Sequence, residues 1–300
     1  GPWQEGQELE YNNTKEQANE LKLGESMEGF FQETGDQDWY KLTVNIPGKN
    51  IIRIDLSAVP EIESEIQIYN EKGNHLKTYN TGKKGEAESI INLGVTEGTI
   101  YYIVVKEYYD GINQNDSYTL KTQLIGPWQE GQEFELNDGK EQANELKLGE
   151  SVEGLFSETG DQDWYKLIVS VPGKNIIRID LSAVPEVNSE IQIYNEKGNH
   201  LKTYNTGKKG EAESIINLGV TEGTIYYIVV KEYYDGINQN DSYTLKTQLI
   251  GPWQEGQELE YNNTKEQANE LKLGESMEGF FQETGDQDWY KLTVNIPGKN

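Results

Sequence analysis

The sequence contains no cysteine, two histidines, two methionines and eight prolines in 300 residues, and only 26 basic side chains against 52 acidic ones. Without cysteine there is neither a disulfide framework nor a thiolate metal site, and the redox compartment stays open. A net charge of −26 repels nucleic acid and anionic membrane and favours cations and solubility. No apolar run is long enough to span a bilayer, so this segment is not expected to insert into a membrane. Catalytic signatures are also missing: there is no Gly-x-Ser-x-Gly, no His-Glu-x-x-His and no phosphate loop. His75 and His200 each follow Gly-Asn in a turn with no Ser or Cys motif beside them. Asp36 and Asp38 are too close in sequence to flank a glycosidic bond as acid and base. The chain is therefore read as non-catalytic.

What is present is repetition. Gly1-Pro2-Trp3-Gln4-Glu5 returns at Gly126 and again at Gly251, a period of 125 residues. The sequence thus divides into repeat one (1–125), repeat two (126–250) and the first part of a third (251–300). The period is too long for a solenoid unit and matches one independent domain, so the copies are beads on a string. Copies one and two differ at 12 positions, all between residues 9 and 63; from Ser64 and Ser189 onward they are identical. Near-identical tandem domains serve length or valency better than catalysis. Residues 251–300 hold too few strands to close a sandwich. The sequence also stops at Asn300, where the earlier copies run on into Ile51 and Ile176. A piece of a longer polymer is the expectation, although strands that complete a partner are an alternative.

Within one copy, Tyr40, Leu42, Val44 and Ile46 alternate with Trp39, Lys41, Thr43 and Asn45, a period of two with one apolar face. Pro47-Gly48-Lys49-Asn50 makes a turn, and Ile52, Ile54 and Leu56 continue the pattern. Further runs at residues 66–69, 76–79, 89–93, 99–105 and 118–124 bring the expectation to seven or eight short strands, an all-β fold of tandem antiparallel β-sandwiches. Only residues 14–23 carry a helical tinge, and a short turn is expected there. The exchanges between copies fit an inside and an outside: Met27 becomes Val152 and Ile46 becomes Val171, whereas Thr43 to Ile168 is tolerated as an outward β-branched change.

The strongest chemical signal is acidic. Glu8, Glu10 and Asn12 share one face of an extended segment, with Leu9 and Tyr11 free to pack on the other, and Asn13 follows. Copy two has Glu133, Glu135, Asn137 and Asp138, and copy three Glu258, Glu260, Asn262 and Asn263. A second oxygen cluster comes from Asp36 and Asp38, repeated as Asp161 and Asp163 and as Asp286 and Asp288. Carboxylates on one face repel unless something neutralises them. Hard oxygen donors with amides among them, and no His or Cys, suit Ca2+ better than zinc or magnesium. The competing reading is a solvated acidic face, and no twelve-residue EF-hand loop is present.

These elements, together with Asp38-Trp39-Tyr40-Lys41-Leu42, Ile68-Tyr69-Asn70-Glu71-Lys72-Gly73 and Tyr101-Tyr102-Ile103-Val104-Val105, run in an order that resembles the bacterial pre-peptidase C-terminal domain family. That family includes the collagen-binding domains of clostridial collagenases. The resemblance covers nearly the whole repeat. It implies a jelly-roll-like β-sandwich in secreted proteins, with calcium held by the Glu-x-Glu-x-Asn-Asp segment and the Asp-rich turn. Copies one and three depart from it at Asn13 and Asn263, which implies weaker sites than that of copy two.

Tyr101, Tyr102, Tyr108, Tyr109 and Tyr118 lie on the last strands, and alternation turns some of them outward, where a row of rings would grip a fibrous protein or a glycan. Tyrosine also fits pleated surfaces, and filling the sandwich is the reading the pattern favours. Asn12-Asn13-Thr14 and Asn115-Asp116-Ser117 match the glycosylation sequon, a frequent chance pattern. At the joints, Pro2 and Trp3, Pro127 and Trp128, and Pro252 and Trp253 join a fixed dihedral to a large packing surface, so neighbouring copies are expected to hold a preferred orientation. The first reading is an extracellular, secreted or surface-anchored fibre, filament or adhesin stalk stiffened by calcium. Its partners are neighbouring copies of the same repeat and other fibre chains or a matrix ligand. The alternative is a multivalent region binding collagen-like protein or polysaccharide for a secreted hydrolase.

Overall fold

A computed structural model of the chain describes residues 1–108, 116–233 and 240–300. Copy one forms strands β1 (Asn19–Leu21), β2 (Ser26–Phe31), β3 (Gln37–Thr43), β4 (Lys49–Leu56), β5 (Ser64–Tyr69), β6 (His75–Tyr79), β7 (Glu88–Thr96), β8 (Ile100–Glu107) and β9 (Asp116–Pro127). They make a five-stranded sheet in the order β1-β3-β8-β5-β6 and a four-stranded sheet in the order β2-β9-β4-β7. Period-two burial drives the pairing. In β3, Tyr40 and Leu42 are fully buried; Ile52, Ile54 and Leu56 of β4, Ile66 and Ile68 of β5, and Leu120 of β9 join them in one core drawn from both sheets. Truncating such a residue, Leu42→Ala for example, costs about 2–5 kcal/mol.

Copy two repeats the plan with β10 (Asn144–Lys147), β11 (Ser151–Phe156), β12 (Gln162–Ile168), β13 (Lys174–Leu181), β14 (Ser189–Tyr194), β15 (His200–Tyr204), β16 (Glu213–Thr221), β17 (Ile225–Glu232) and β18 (Asp241–Pro252). Its sheets run β10-β12-β17-β14-β15 and β11-β18-β13-β16. Copy three pairs only β19 (Asn269–Leu271) with β20 (Tyr290–Leu292), and its Phe281 and Val294, whose equivalents in copy one are buried, are exposed. Contacts divide the chain into two units. The first is built on Gly1–Leu136 and takes in Phe156–Asp161; the second holds most of the described chain from Asn137 on, including Ser242–Asn300.

Two features, the pairing of β1 and the pattern of β2, differ from the sequence reading. The pair β1–β3 is parallel, within an otherwise antiparallel sandwich. The short turn expected within residues 14–23 is present as a 3₁₀ turn at Lys15–Gln17, followed by β1. The strand β2 has no apolar alternation because Gly29 occupies an inward position opposite Tyr118 and Phe30 points outward. A Cβ at Gly29 would lie 2.3 Å from the Tyr118 ring, so the tyrosine fills the space that a side chain of β2 would take. The exchange of Thr43 for Ile168 does fall outside the core, since Ile168 is 39% exposed. No helix among the described residues is long and apolar enough to cross a membrane.

Candidate metal centre

The segment before β1 has little regular structure and is held by its neighbours. Glu8 N donates to Glu28 O at 2.8 Å and Glu28 N to Gly6 O at 2.7 Å, which lays the segment along β2. Asn19 clamps it from the other side, accepting from Leu9 N at 2.8 Å and donating to Leu9 O at 3.1 Å. Trp39 N donates to Asn12 O at 2.8 Å, which brings the segment to the start of β3. One oxygen each from Glu8, Glu10 and Asp38 consequently lies within 4.8 Å of the others. Phe30 N donates to Glu8 at 2.7 Å, Tyr118 donates to Asp38 Oδ2 at 2.6 Å, and Asn12 Nδ2 donates to Glu8 Oε2 at 3.1 Å.

Those bonds leave three buried oxygens with no partner: Glu10 Oε1, Asn12 Oδ1 and Asp38 Oδ1. Copy three reproduces the group with Glu258, Glu260 and Asp288, and the orphaned atoms are the equivalent ones, Glu260 Oε1, Asn262 Oδ1 and Asp288 Oδ1. Buried acceptors without donors are costly, so the arrangement calls for a positive charge. Burial, then the charge of Glu8, pushes Asp38 up to about 10; burial also raises Glu8 and Glu10. Burial raises Glu260 to about 8, with Lys202 pulling the other way and Asp286 and Glu258 adding to the rise. The donor set, carboxylates with an amide oxygen and no nitrogen or sulfur, fits a hard cation.

The two aspartates of the Asp-rich turn in copy one have separate tasks. Asp38 enters the carboxylate group, whereas Asp36 closes its own turn by accepting from Gln32 N at 2.9 Å, as Asp161 does from Ser157 N and Asp286 from Gln282 N. Asp161 and Asp286 are further engaged by Lys77 and Lys202, each at 2.5 Å. The amide of Asn13 sits 3.1 Å from Asp36 Oδ1 and 3.0 Å from Gln37 O, a geometry in which it donates rather than offers oxygen. Asn263 Oδ1 accepts from Lys202 at 3.2 Å. In copy two, Glu133, Glu135 and Asp161 belong to the first unit and are buried, with Glu133 accepting from Asn92 at 3.1 Å. Asn137, Asp138 and Asp163 belong to the second unit, where Asp163 is fully buried and accepts from Tyr243 at 2.6 Å. The lysines and the Asn19 clamp were not among the residues singled out from sequence, and Tyr118, named there among the tyrosines of the last strands, is buried and serves Asp38 instead. Only the lysine left a trace there, as a charge in phase with Tyr79.

The joint residues lie close to the acids. Strand β9 runs past the repeat boundary, pairing Gly126 with Ile51 and Pro127 with Asn50. Trp128 N then donates to Lys49 O at 2.9 Å, and the Lys49 ammonium lies 5.0 Å from the Trp128 ring. Gly94 N donates to Glu135 O at 2.8 Å. Within the second unit Pro252, Trp253 and Glu260 make the same contacts with Asn175, Lys174 and Gly219. In copy one Trp3, beside the exposed Pro2, is 52% exposed, and Leu9 and Tyr11, expected to pack, are 55% and 75% exposed. Their counterparts do pack: Phe134 on Trp128, Leu136 on the first core, and Tyr261 on Tyr226.

Among the described residues the tyrosines do not form an exposed row, and Tyr118 is buried. Tyr102 is buried, and Tyr101 turns its hydroxyl to Gly94 O at 3.2 Å; Tyr108 is half-exposed and Tyr109 lies outside the described residues. His75 and His200 are exposed and bond Thr78 and Thr203. Asn12 is fully buried, which removes it as a glycosylation acceptor, and Asn115 lies outside the described residues.

No family model matches the chain, and no curated protein matches it. Among solved structures, a pre-peptidase C-terminal domain of a Bacillus anthracis collagenase is 21% identical with a TM-score of 0.28, over 35% of this chain and 93% of that one. A candidate secreted protein from Eubacterium rectale is 13% identical with a TM-score of 0.27, over 81% of this chain and 82% of that one.

Proposed function

We propose that the chain is a non-catalytic structural stretch of an extracellular fibre, filament or adhesin stalk, in which calcium completes each repeat's acidic group and stiffens the joint. The observation that carries this is the shared location of joint and acids. The ten residues from Gly126 to Glu135 first extend the last strand of copy one and then supply Glu133 and Glu135, while Glu135 O anchors the segment to Gly94. A cation bound by these side chains would tie down the same backbone that links one copy to the next. Calcium is favoured because it accepts six to eight oxygens in irregular geometry, whereas magnesium demands a near-ideal octahedron. X-ray scattering of the chain with calcium and with chelator tests the reading. A longer, stiffer particle with calcium is expected, and identical profiles would refute calcium-set rigidity.

The alternative, multivalent binding of a fibrous protein or polysaccharide, draws on Tyr108 and Tyr233, each 50% exposed. Co-sedimentation with collagen fibrils and common polysaccharides tests it; retention there, lost on changing both tyrosines to Ser, would favour that reading over the stalk.

A further inference from the structure

Strand β6 lies at the edge of its sheet, and its side chains invert the expected order: Leu76 is 37% exposed while Lys77 is buried, in phase with Tyr79. The Lys77 ammonium lies 2.5 Å from Asp161, 3.6 Å from Glu158 and 3.7 Å from Glu135, all residues of the following copy. The second unit repeats the arrangement. Lys202 lies 2.5 Å from Asp286, 3.2 Å from Glu283 and 3.2 Å from Asn263 Oδ1, between the rings of Tyr204 and Tyr261. Each closest pair joins residues 84 apart in sequence. A buried ammonium is tolerated only among acceptors, and buried carboxylates only beside a cation, so the two halves of this contact require each other.

We propose that this lysine is the docking group by which each repeat takes up the next. The ammonium enters the Glu-x-x-Asp turn of the following copy and serves as a built-in counter-ion at Asp161 and Asp286. The partner that fits is a further copy of this repeat, since every copy carries the turn (Glu33 and Asp36, Glu158 and Asp161, Glu283 and Asp286) and both full copies carry the lysine. The inference deepens the stalk reading but holds with or without a bound ion.

Hydrogen exchange by mass spectrometry on the full chain tests it, using peptic peptides around Phe134 and Phe156, whose sequences occur once in the chain. Lys77→Met is expected to speed their exchange at least tenfold, in calcium and in chelator alike, while Lys77→Arg stays within threefold of the parent. Asp161→Asn made in the Lys77→Met background should add little further, because the two side chains act as a pair. Unchanged exchange in Lys77→Met, or additive effects of the two substitutions, would overturn the docking role. A loss of calcium dependence in the parent, with the Lys77 effect intact, would count against the ion alone.

Discussion

Tyr118 donates a 2.6 Å hydrogen bond to Asp38 Oδ2, and its oxygen lies 2.6 Å from that of Tyr40. A buried carboxyl is thus supplied with one neutral donor, and its second oxygen has none. The tyrosine orients the aspartate within a carboxylate group that could hold a metal ion, and leaves its other oxygen without a donor.

Ion-free protein should lose stability as pH rises. The unfolded chain releases an aspartate proton near pH 4, whereas folded Asp38 holds its proton to about 10. Between those values the folded state binds more protons, so stability falls with rising pH. Asp55, held low beside Arg53, acts in the opposite sense but only as pH falls below the ordinary carboxylate range. Melting temperatures in chelator are expected to drop from pH 5 to pH 8, with calcium abolishing the drop because it replaces the proton. A rise over that range in chelator would contradict the assignment.

Asn13→Asp should sharpen the same linkage. A carboxylate placed 3.1 Å from Asp36 Oδ1 removes a donor and adds repulsion, so the ion-free variant should melt lower than the parent while its calcium affinity rises several-fold. Copy two, which already carries Asp138, should bind calcium more tightly than copy one. Calorimetry finding equal affinities, or no gain in the variant, would remove residue 13 and its equivalents from the site.

Gly94→Ala should loosen the joint. A Cβ there would meet Glu135 O at 2.4 Å and the Phe134 ring at 2.8 Å, so the following segment must move away from β7. Overpacking of this kind costs about 1–3 kcal/mol. Faster proteolytic cleavage between the copies is the expected result, and parent-like cleavage rates would show that the contact carries no strength.

Gly29→Ala should unseat Tyr118. With a Cβ 2.3 Å from its ring, the tyrosine leaves Asp38, and about 1–3 kcal/mol of stability should go with it. Chemical denaturation measures the loss, and calcium titration should show a weaker site in the same variant.

Much of the sandwich was legible because β3, and the second half of β4, bury alternate residues in the phase their apolar side chains dictate. Two strands escaped for a physical reason. In β2 the inward position at Gly29 is filled from across the sheet by Tyr118, and β1 is three residues long, too short for any period. The acids of the opening segment were legible from spacing, since Glu8 and Glu10 do share a face and meet Asp38. What the sequence did not show is that the other aspartate of the turn accepts from a backbone amide and, in copies two and three, from a lysine 84 residues away.

The sequence alone determined the period, the β architecture, the absence of thiol chemistry and the acid-rich oxygen set, all consequences of local composition and alternation. Tertiary structure decided which oxygens converge, which remain without donors, and which lysine faces them. Those outcomes depend on residues far apart in the chain that meet only after the sheets close, and no local pattern encodes such a meeting.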